Sequence, residues 1–323
     1  MNYRILEFLH ENRERFVSVQ EMASKLDLKP DKVLEILEIL EDRGYKFEKS
    51  QEGYKLKEPE GDLSPSQIKE ALETNYIGRE IYCFDEVDST NIIAKELAED
   101  DAREGTIVIA KTQTRGRGRR GKKWISPHGG IWMSIILRPD IPPARAPQLT
   151  LITGVAVAKT LKREFGLDVG IKWPNDILIG DKKVCGILTE AHARFNTIEY
   201  IVVGIGIDTN IDVDLFPEEF REGATSLKRE LGGDVDSVDL IRKLLVEFEK
   251  VYDDFKNGKF PEILNEWRRF SKTIGSYVEI RKQLGEVVRG EAVGVNNEGA
   301  LILELDNGKL RKIVSGECIH LYR

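Results

Sequence analysis

Apolar residues recur at helical spacing through the first forty positions and then switch to strict alternation, which divides the chain's start into three helices and a hairpin. Ile5, Leu6, Phe8 and Leu9 mark the first helix over residues 4–12. SVQEMASKLDL opens on Ser18, an N-cap with Glu21 three places on, and KPDKVLEILEILEDRGY carries Pro30 in its first turn. YKFEKSQEGYKL then alternates around a polar Ser50–Gly53 turn. Helix, helix, turn, helix, hairpin is the order of a winged helix-turn-helix.

A polar linker, EPEGDLSPSQ, ends in a capping signal of Ser64, Pro65 and Gln67, where a second domain is expected to start. IYCFDEV (Ile81 to Val87) reads as a strand. It runs into a helix capped by Ser89 or Thr90, with Ile93, Ala94, Leu97 and Ala98 on its apolar face. TIVIA (Thr106 to Ala110) and GIWMSIIL (Gly130 to Leu137) are further strands, and Pro147 to Gly166 is a long buried helix. IKWPNDILI forms two short strands broken at Pro174, followed by a Gly180-Asp181 turn. KVCGILTEA and IEYIVVGIGI are apolar enough to be central strands. Their Gly186, Gly204 and Gly206 suggest backbone left bare for a ligand.

Residues 208–233 are polar and without period, so a mobile loop is expected before a helix at Val238 to Lys256. The last fifty residues alternate as YVEI, EVVRGEAVGV, ALILEL and LRKIV, the pattern of a small β-barrel. The stripe Ile131, Met133 and Ile135 has two readings, burial in the core or homodimerisation by sheet extension.

Composition narrows the class. The chain has 323 residues, 41% apolar and 33% charged, with 49 basic against 56 acidic side chains for a net charge of −7. That balance excludes a surface made wholly for polyanions. Cys83, Cys185 and Cys318 are far apart with no Cys/His spacing, so neither a disulfide framework nor a zinc site is implied and a reducing cytoplasm is expected. His10, His128, His192 and His320 are scattered, with no serine or cysteine nucleophile motif beside them. No apolar run reaches membrane-spanning length, and charge interrupts the N-terminus too early for a signal peptide.

The chemistry concentrates in Gln113 to Pro127, QTRGRGRRGKKWISP, where six of the nine residues from Arg115 to Lys123 are cationic and three are glycine. Glycine lets backbone N–H groups approach an anion, and Arg117, Arg119 and Arg120 offer planar forks for carboxylate or phosphate. A patch for nucleic acid is the competing reading. It is weakened because the run lies between two strands and lacks interleaved aromatics.

Together with this loop, DSTN (Asp88 to Asn91), KWPNDI (Lys172 to Ile177), KVCGIL (Lys183 to Leu188) and GIGI (Gly204 to Ile207) stand in the order found in biotin–protein ligases, which the chain resembles over nearly its whole length. The resemblance is to the longer, bifunctional ligases that double as biotin-operon repressors. It implies a mixed α+β fold: a winged helix at 1–60, a central α/β catalytic domain resembling class II synthetases at 61–272, and an SH3-like barrel at 273–323. It further implies ATP-dependent formation of biotinyl-5'-AMP and transfer of biotin to a lysine of a biotin carboxyl carrier protein or carboxylase biotinyl domain, with Mg2+ on the nucleotide.

By that resemblance Ser89, Thr90, Asn91, Gln113, Gly116, Arg117, Gly118, Arg119, Lys183, Gly186 and Gly204 surround biotin. Arg117, Arg119, Arg120, Trp124, Asn175, Lys183 and Asp208 meet ATP, and Arg119, Lys183 and Asp176 carry catalysis. Asp208 stands where the family commonly has Asn, and Arg115 where a small residue is expected. The alternatives are a lipoate-type ligase, or a biotin-sensing regulator without catalysis.

A repressor implies operator DNA and a liganded homodimer, but residues 1–60 hold 11 basic and 14 acidic side chains. Lys29 and Lys32 at the start of the third helix, with Lys46, Lys49 and Lys55 in the wing, form a modest basic rim. Val33, Leu37 and Leu40 suffice as that helix's core face, which leaves Leu34, Ile36 and Ile39 for contact with protein instead of base edges.

Overall fold

The computed structural model describes residues 2–57, 63–282 and 285–321. Helices α1 (Asn2–Glu11), α2 (Val19–Leu26) and α3 (Pro30–Asp42) precede the two-stranded wing, β1 (Lys46–Ser50) and β2 (Gly53–Lys57). Ser18 Oγ accepts from Glu21 N at 3.1 Å, and Pro30 fills the first turn of α3, where its missing N–H is not needed. Ile36 is buried beside Val33, Leu37 and Leu40, so it belongs to the core and only Leu34 of the supposed surplus is exposed. The expected boundary near residue 60 lies outside the described residues. Ser64 and Gln67 beyond it form the reciprocal capping box of α4 (Pro65–Glu70).

The central sheet is built from β3 (Ile81–Val87), α5 (Thr90–Glu99), β4 (Ile107–Gln113), β5 (Ile131–Leu137), α6 (Ala146–Phe165), β6 (Val169–Lys172), β7 (Asp176–Ile179), β8 (Lys182–Arg194) and β9 (Thr197–Ile207). Its seven strands run β3-β4-β5-β9-β8-β7-β6, with β3 parallel to β4 and every other pair antiparallel. Ile107, Ile109, Met133 and Ile135 face a core shared with α6, while Val108, Ala110 and Ile136 face a second core with α5 and the winged helix. Burial on both faces explains why these strands are apolar without alternation.

All seven residues of β5 are buried and the strand pairs on both sides, so Ile131, Met133 and Ile135 are core and sheet extension there is excluded.

Residues 208–233 hold three short helical segments joined by irregular chain. After a helical turn at Val213–Leu215 come α7 (Glu218–Arg221) and α8 (Leu227–Leu231). Ile211, Val213 and Phe216 are buried against Trp132, a cluster too short in sequence to register as a period. Helices α9 (Ser237–Lys256) and α10 (Phe260–Phe270) complete the layer around α6.

The C-terminal part, β10 (Tyr277–Arg281), β11 (Val287–Val295), β12 (Leu301–Glu304), β13 (Leu310–Ile313) and β14 (Glu317–His320), is an antiparallel sheet in the order β13-β12-β11-β10-β14. Trp173 Nε1 donates to Gly299 O at 3.2 Å and ties it to the central sheet. Among the described residues no helix is long and apolar enough to cross a membrane.

Candidate active site

The cationic loop leaves β4 and returns to β5 as a narrow double strand. Gln113 N donates to Ser126 O (3.0 Å), Trp124 N to Gly116 O (2.9 Å) and Gly118 N to Lys122 O (2.7 Å). Its tip turns at Arg120 and Gly121, both at positive φ (58° and 75°), with Gly121 supplying the freedom the turn requires. A Cβ on Gly116 would overlap the Trp124 carbonyl and Ser126, so this glycine lets the two strands of the loop meet. It does not line the cleft, unlike the other expected site residues. Arg115 turns outward into an ion pair with Asp88.

The loop roofs a cleft of about 640 Å³ between the central sheet, residues 216–224 and β14. At one end, α5 begins at Ser89, which occupies the N-cap but forms no side-chain capping bond; Thr90 N is bound instead by Gln113 Oε1 at 2.9 Å. Ser134 Oγ lies 2.7 Å from both Asn91 Oδ1, to which it donates, and Thr90 Oγ1, and Asn91 Nδ2 donates to Glu190 Oε2 at 2.8 Å. Burial alone would raise the Glu190 carboxyl. Bonds from Asn91 and Lys95, with the charge of Arg117, hold it below its ordinary value. Asn91 is therefore a fixed amide in a polar network, the arrangement needed to read a ligand's donors and acceptors.

Gly204, Gly186 and Gly206 line the cleft and are also approached closely by side chains. A Cβ on Gly204 would strike Asn91, and one on Gly186 or Gly206 would strike the Trp124 ring. The glycines make room for those two side chains, which then form the floor with them.

At the other end the cations gather. Lys183 Nζ lies 2.7 Å from Asp176 Oδ1 and 4.7 Å over the Trp124 ring centre. Arg119 donates to Asn175 Oδ1 at 3.0 Å and reaches Gly316 O at 3.4 Å; burial lowers its guanidinium from the usual value, yet it stays charged. Arg120 donates to Arg281 O (2.7 Å), Lys122 pairs with Glu317, and Arg117 stands 3.5 Å from Glu190. Gly118 lines the cleft between these arginines. Trp124 Nε1 and Asp208 Oδ1 line it too, buried and without hydrogen-bond partners, and burial drives the Asp208 carboxyl well up despite nearby Lys183. Two orphaned polar atoms in one cleft are a ligand's natural partners.

Sequence reading missed Glu190, Ser134, Lys172, Phe216, Phe220 and Glu317, of which Lys172, Phe216, Phe220 and Glu317 line the cleft while Ser134 and Glu190 brace Asn91. Lys172 stands inside a quoted motif; the others carry no local signal, because the fold brings them in from separate elements.

A polar network at one end of a cleft and a cationic junction at the other, on this mixed sheet, form a site suited to a ligand with a polar head and an anionic end. Residues 83–208 match the Biotin/lipoate A/B protein ligase family, and residues 273–321 match the Biotin protein ligase C terminal domain. The chain is 39% identical over 315 residues to the bifunctional ligase/repressor BirA of Bacillus spizizenii, covering 97% of this chain and 96% of that protein. It is 30% identical over 267 residues to BirA of Escherichia coli, covering 82% and 80%. The biotin protein ligase of Aquifex aeolicus, solved with biotin and ATP, superposes with a TM-score of 0.64 at 29% identity, covering 76% of this chain and all of that one. The chain belongs to the biotin–protein ligase family.

Proposed function

We infer that this protein condenses biotin with ATP to biotinyl-5'-AMP and then transfers biotin to a lysine of a carrier domain. The convergence of Lys183 and Arg119 beyond the Asn91 network carries this reading. Asn91, Thr90 and Gln113 suit a ureido group, which offers two N–H donors and one carbonyl, and Ser89's uncommitted hydroxyl adds to them. The valeryl chain then runs under Trp124 toward Lys183.

Carboxylate attack on the α-phosphate brings two anions together. At about 4 Å that repulsion is about 4 kcal/mol for an effective dielectric near 20, so fixed cations are the main requirement of the step. Lys183 and Arg119 supply them where charge accumulates. Asp176 and Asn175 hold both in place, which makes Asp176 a positioning residue. The Asp176 and Glu317 carboxylates are each paired with a lysine, so the fit is to Mg2+ carried on the triphosphate and not in a protein cage. Trp124 and the buried Asp208 lie where an adenine ring would find a π-face and a hydrogen-bond partner.

Further features extend the reading. From Leu188 on, β8 pairs with β9 alone among the described residues, and the hairpin tip exposes 94% of Phe195; this edge suits homodimerisation or a carrier domain's strand. The winged helix, with relatives named ligase/repressor, suits operator DNA held weakly. Free buried thiols at Cys185 and Cys318 fit the cytoplasm.

Biotin-dependent exchange of pyrophosphate into ATP tests the first step, and labelling of a carrier domain the second. Exchange with lipoate but not biotin would replace this reading with the lipoate ligase, and binding without exchange with the regulator.

A further inference from the structure

Lys172 ends β6 and its register partner across the Trp173-Pro174-Asn175 turn is Asp176. That turn fastens both junction cations, Arg119 through Asn175 and Lys183 through Asp176. Lys172 belongs to the same turn and lines the same cleft, half-buried, beside Cys318 of β14. Its ammonium has no hydrogen bond or ion pair to any described residue. The other cations of this end are engaged: Arg120 by the Arg281 carbonyl, Lys122 by Glu317. Lys123 also has no hydrogen bond or ion pair to any described residue and touches the cleft, but it is exposed where Lys172 is half-buried. The field of Lys172 reaches β14, where it opposes the burial that raises the Cys318 thiol and adds to the burial that lowers the His320 imidazole.

A half-buried ammonium left unpaired on a cleft wall is costly unless an anion completes it. The proposed reaction produces such an anion. As the carboxylate oxygen bonds to the α-phosphorus, the bond from that phosphorus to the oxygen bridging it to the β-phosphorus breaks. The electron pair leaves on pyrophosphate, which carries off more negative charge than remains on the adenylate. Arg119 and Lys183 are held at the bond being made. A separate cation is required at the group being expelled.

We propose that Lys172 is the pyrophosphate-side cation of this site: it binds the β- and γ-phosphates of the nucleoside triphosphate and stabilises the leaving group. This rests on the ligase reading above. Because binding falls on one product alone, Lys172 sets the affinity for ATP and pyrophosphate and leaves that for biotin untouched.

The test compares wild type, Lys172→Met, Lys172→Arg and Lys123→Met in the full chain, with biotin affinity by calorimetry, KM for ATP, and product inhibition by pyrophosphate. In Lys172→Met the KM for ATP and the inhibition constant for pyrophosphate are expected to rise at least about tenfold, the loss of one charge-assisted contact. Biotin affinity stays within about twofold, and Lys172→Arg recovers most of the loss because it keeps the charge. Unchanged pyrophosphate inhibition in Lys172→Met overturns the proposal. So does a parallel loss of biotin affinity, which marks a distorted turn, or an effect in Lys123→Met in place of Lys172→Met. Absence of biotin-dependent exchange in wild type would instead overturn the ligase reading itself.

Discussion

Lys183 is held between two unlike partners, the Asp176 carboxylate at 2.7 Å and the face of Trp124 at 4.7 Å, so that its ammonium is fixed before any substrate arrives. Such pre-organisation is what makes a cation effective against charge that develops only in the transition state. Lys183→Ala is expected to slow single-turnover adenylate formation by about 10²- to 10³-fold, roughly 3–4 kcal/mol. Asp176→Asn should give a smaller loss, since the charge remains and only its placement suffers. Rapid-quench measurement of the adenylate checks both, and an unimpaired Lys183→Ala enzyme would remove Lys183 from the chemistry.

Asn91 joins Ser134, Glu190 and the space above Gly204 into one unit. Asn91→Ala is expected to weaken biotin binding by about 1–3 kcal/mol, because it removes a ligand contact and leaves the Glu190 carboxylate short of a donor. Calorimetry with biotin should show this loss with little change in the KM for ATP. Gly204→Ala should imitate it, since the new methyl group displaces the same amide.

Asp208 gives a pH signature. Burial raises its folded-state pKa above the ordinary carboxyl value, so the protonated form is favoured by folding. Its stabilising share is complete below the unfolded value, near about 3.9, and is lost as pH rises through the folded value. Asp208→Asn keeps the shape without the ionisation. It should stabilise the fold, by a margin that widens with pH, reaches about 1–3 kcal/mol where the wild-type carboxyl would ionise, and is read as a rise in Tm. Melting curves between pH 5 and pH 9 decide the point, and a margin independent of pH would contradict it.

Elements with a strong period were legible: α6 and α9 from unbroken helical apolar faces, β8 and β9 from long apolar runs, the wing from its alternation. Residues 208–233 were not, because Phe216 and its neighbours are anchored by Trp132 from a distant strand. The cationic loop, DSTN and KWPND were visible as site residues because their chemistry sits in contiguous motifs. Glu190 and Glu317 were invisible for the opposite reason, each being an ordinary acidic residue until β8 and β14 bring it to Asn91 and Lys122. The glycines were legible as places of close approach beside the cleft, but a missing Cβ does not say what else approaches, and Asn91 and Trp124 do. Ile131, Met133 and Ile135 show the matching ambiguity for strands, as alternation alone does not tell an interface from a core covered on both faces.

The open edge of β8 makes self-association testable away from the active site. Phe195→Asp alters a residue 94% exposed, so the fold should be retained with a stability change within about 0.5 kcal/mol. Sedimentation of wild type with biotin and ATP is expected to show a dimer that Phe195→Asp weakens at equal concentration. A wild-type monomer at high concentration would remove the interface.

The winged helix presents its own electrostatic obstacle to DNA. Lys32 pairs with Glu35 at 2.7 Å and Lys49 with Glu41 at 2.8 Å, while Lys46 in the wing reaches across to Asp85 on β3. Arg43 pairs with Glu96 of α5 at 3.0 Å, and Tyr45 packs edge-on against Phe84 with ring centres 4.7 Å apart. Contacts inside the module and, through Lys46 and Arg43, with the catalytic core therefore draw on cations that would otherwise meet phosphates, leaving Lys29 and Lys55 the lysines of the rim with no hydrogen bond or ion pair to any described residue. Each phosphate contact contributes close to one unit to the salt dependence of binding, so few free cations mean a shallow slope and weak affinity. Asp85→Asn removes the partner that holds Lys46 and should steepen that slope by about one unit, with tighter binding at low salt. Fluorescence anisotropy with a duplex from upstream of biotin genes, titrated from low to high salt, reads both quantities. Tight wild-type binding with a steep slope that Asp85→Asn leaves unchanged would show that the docked lysines are not the limiting contacts.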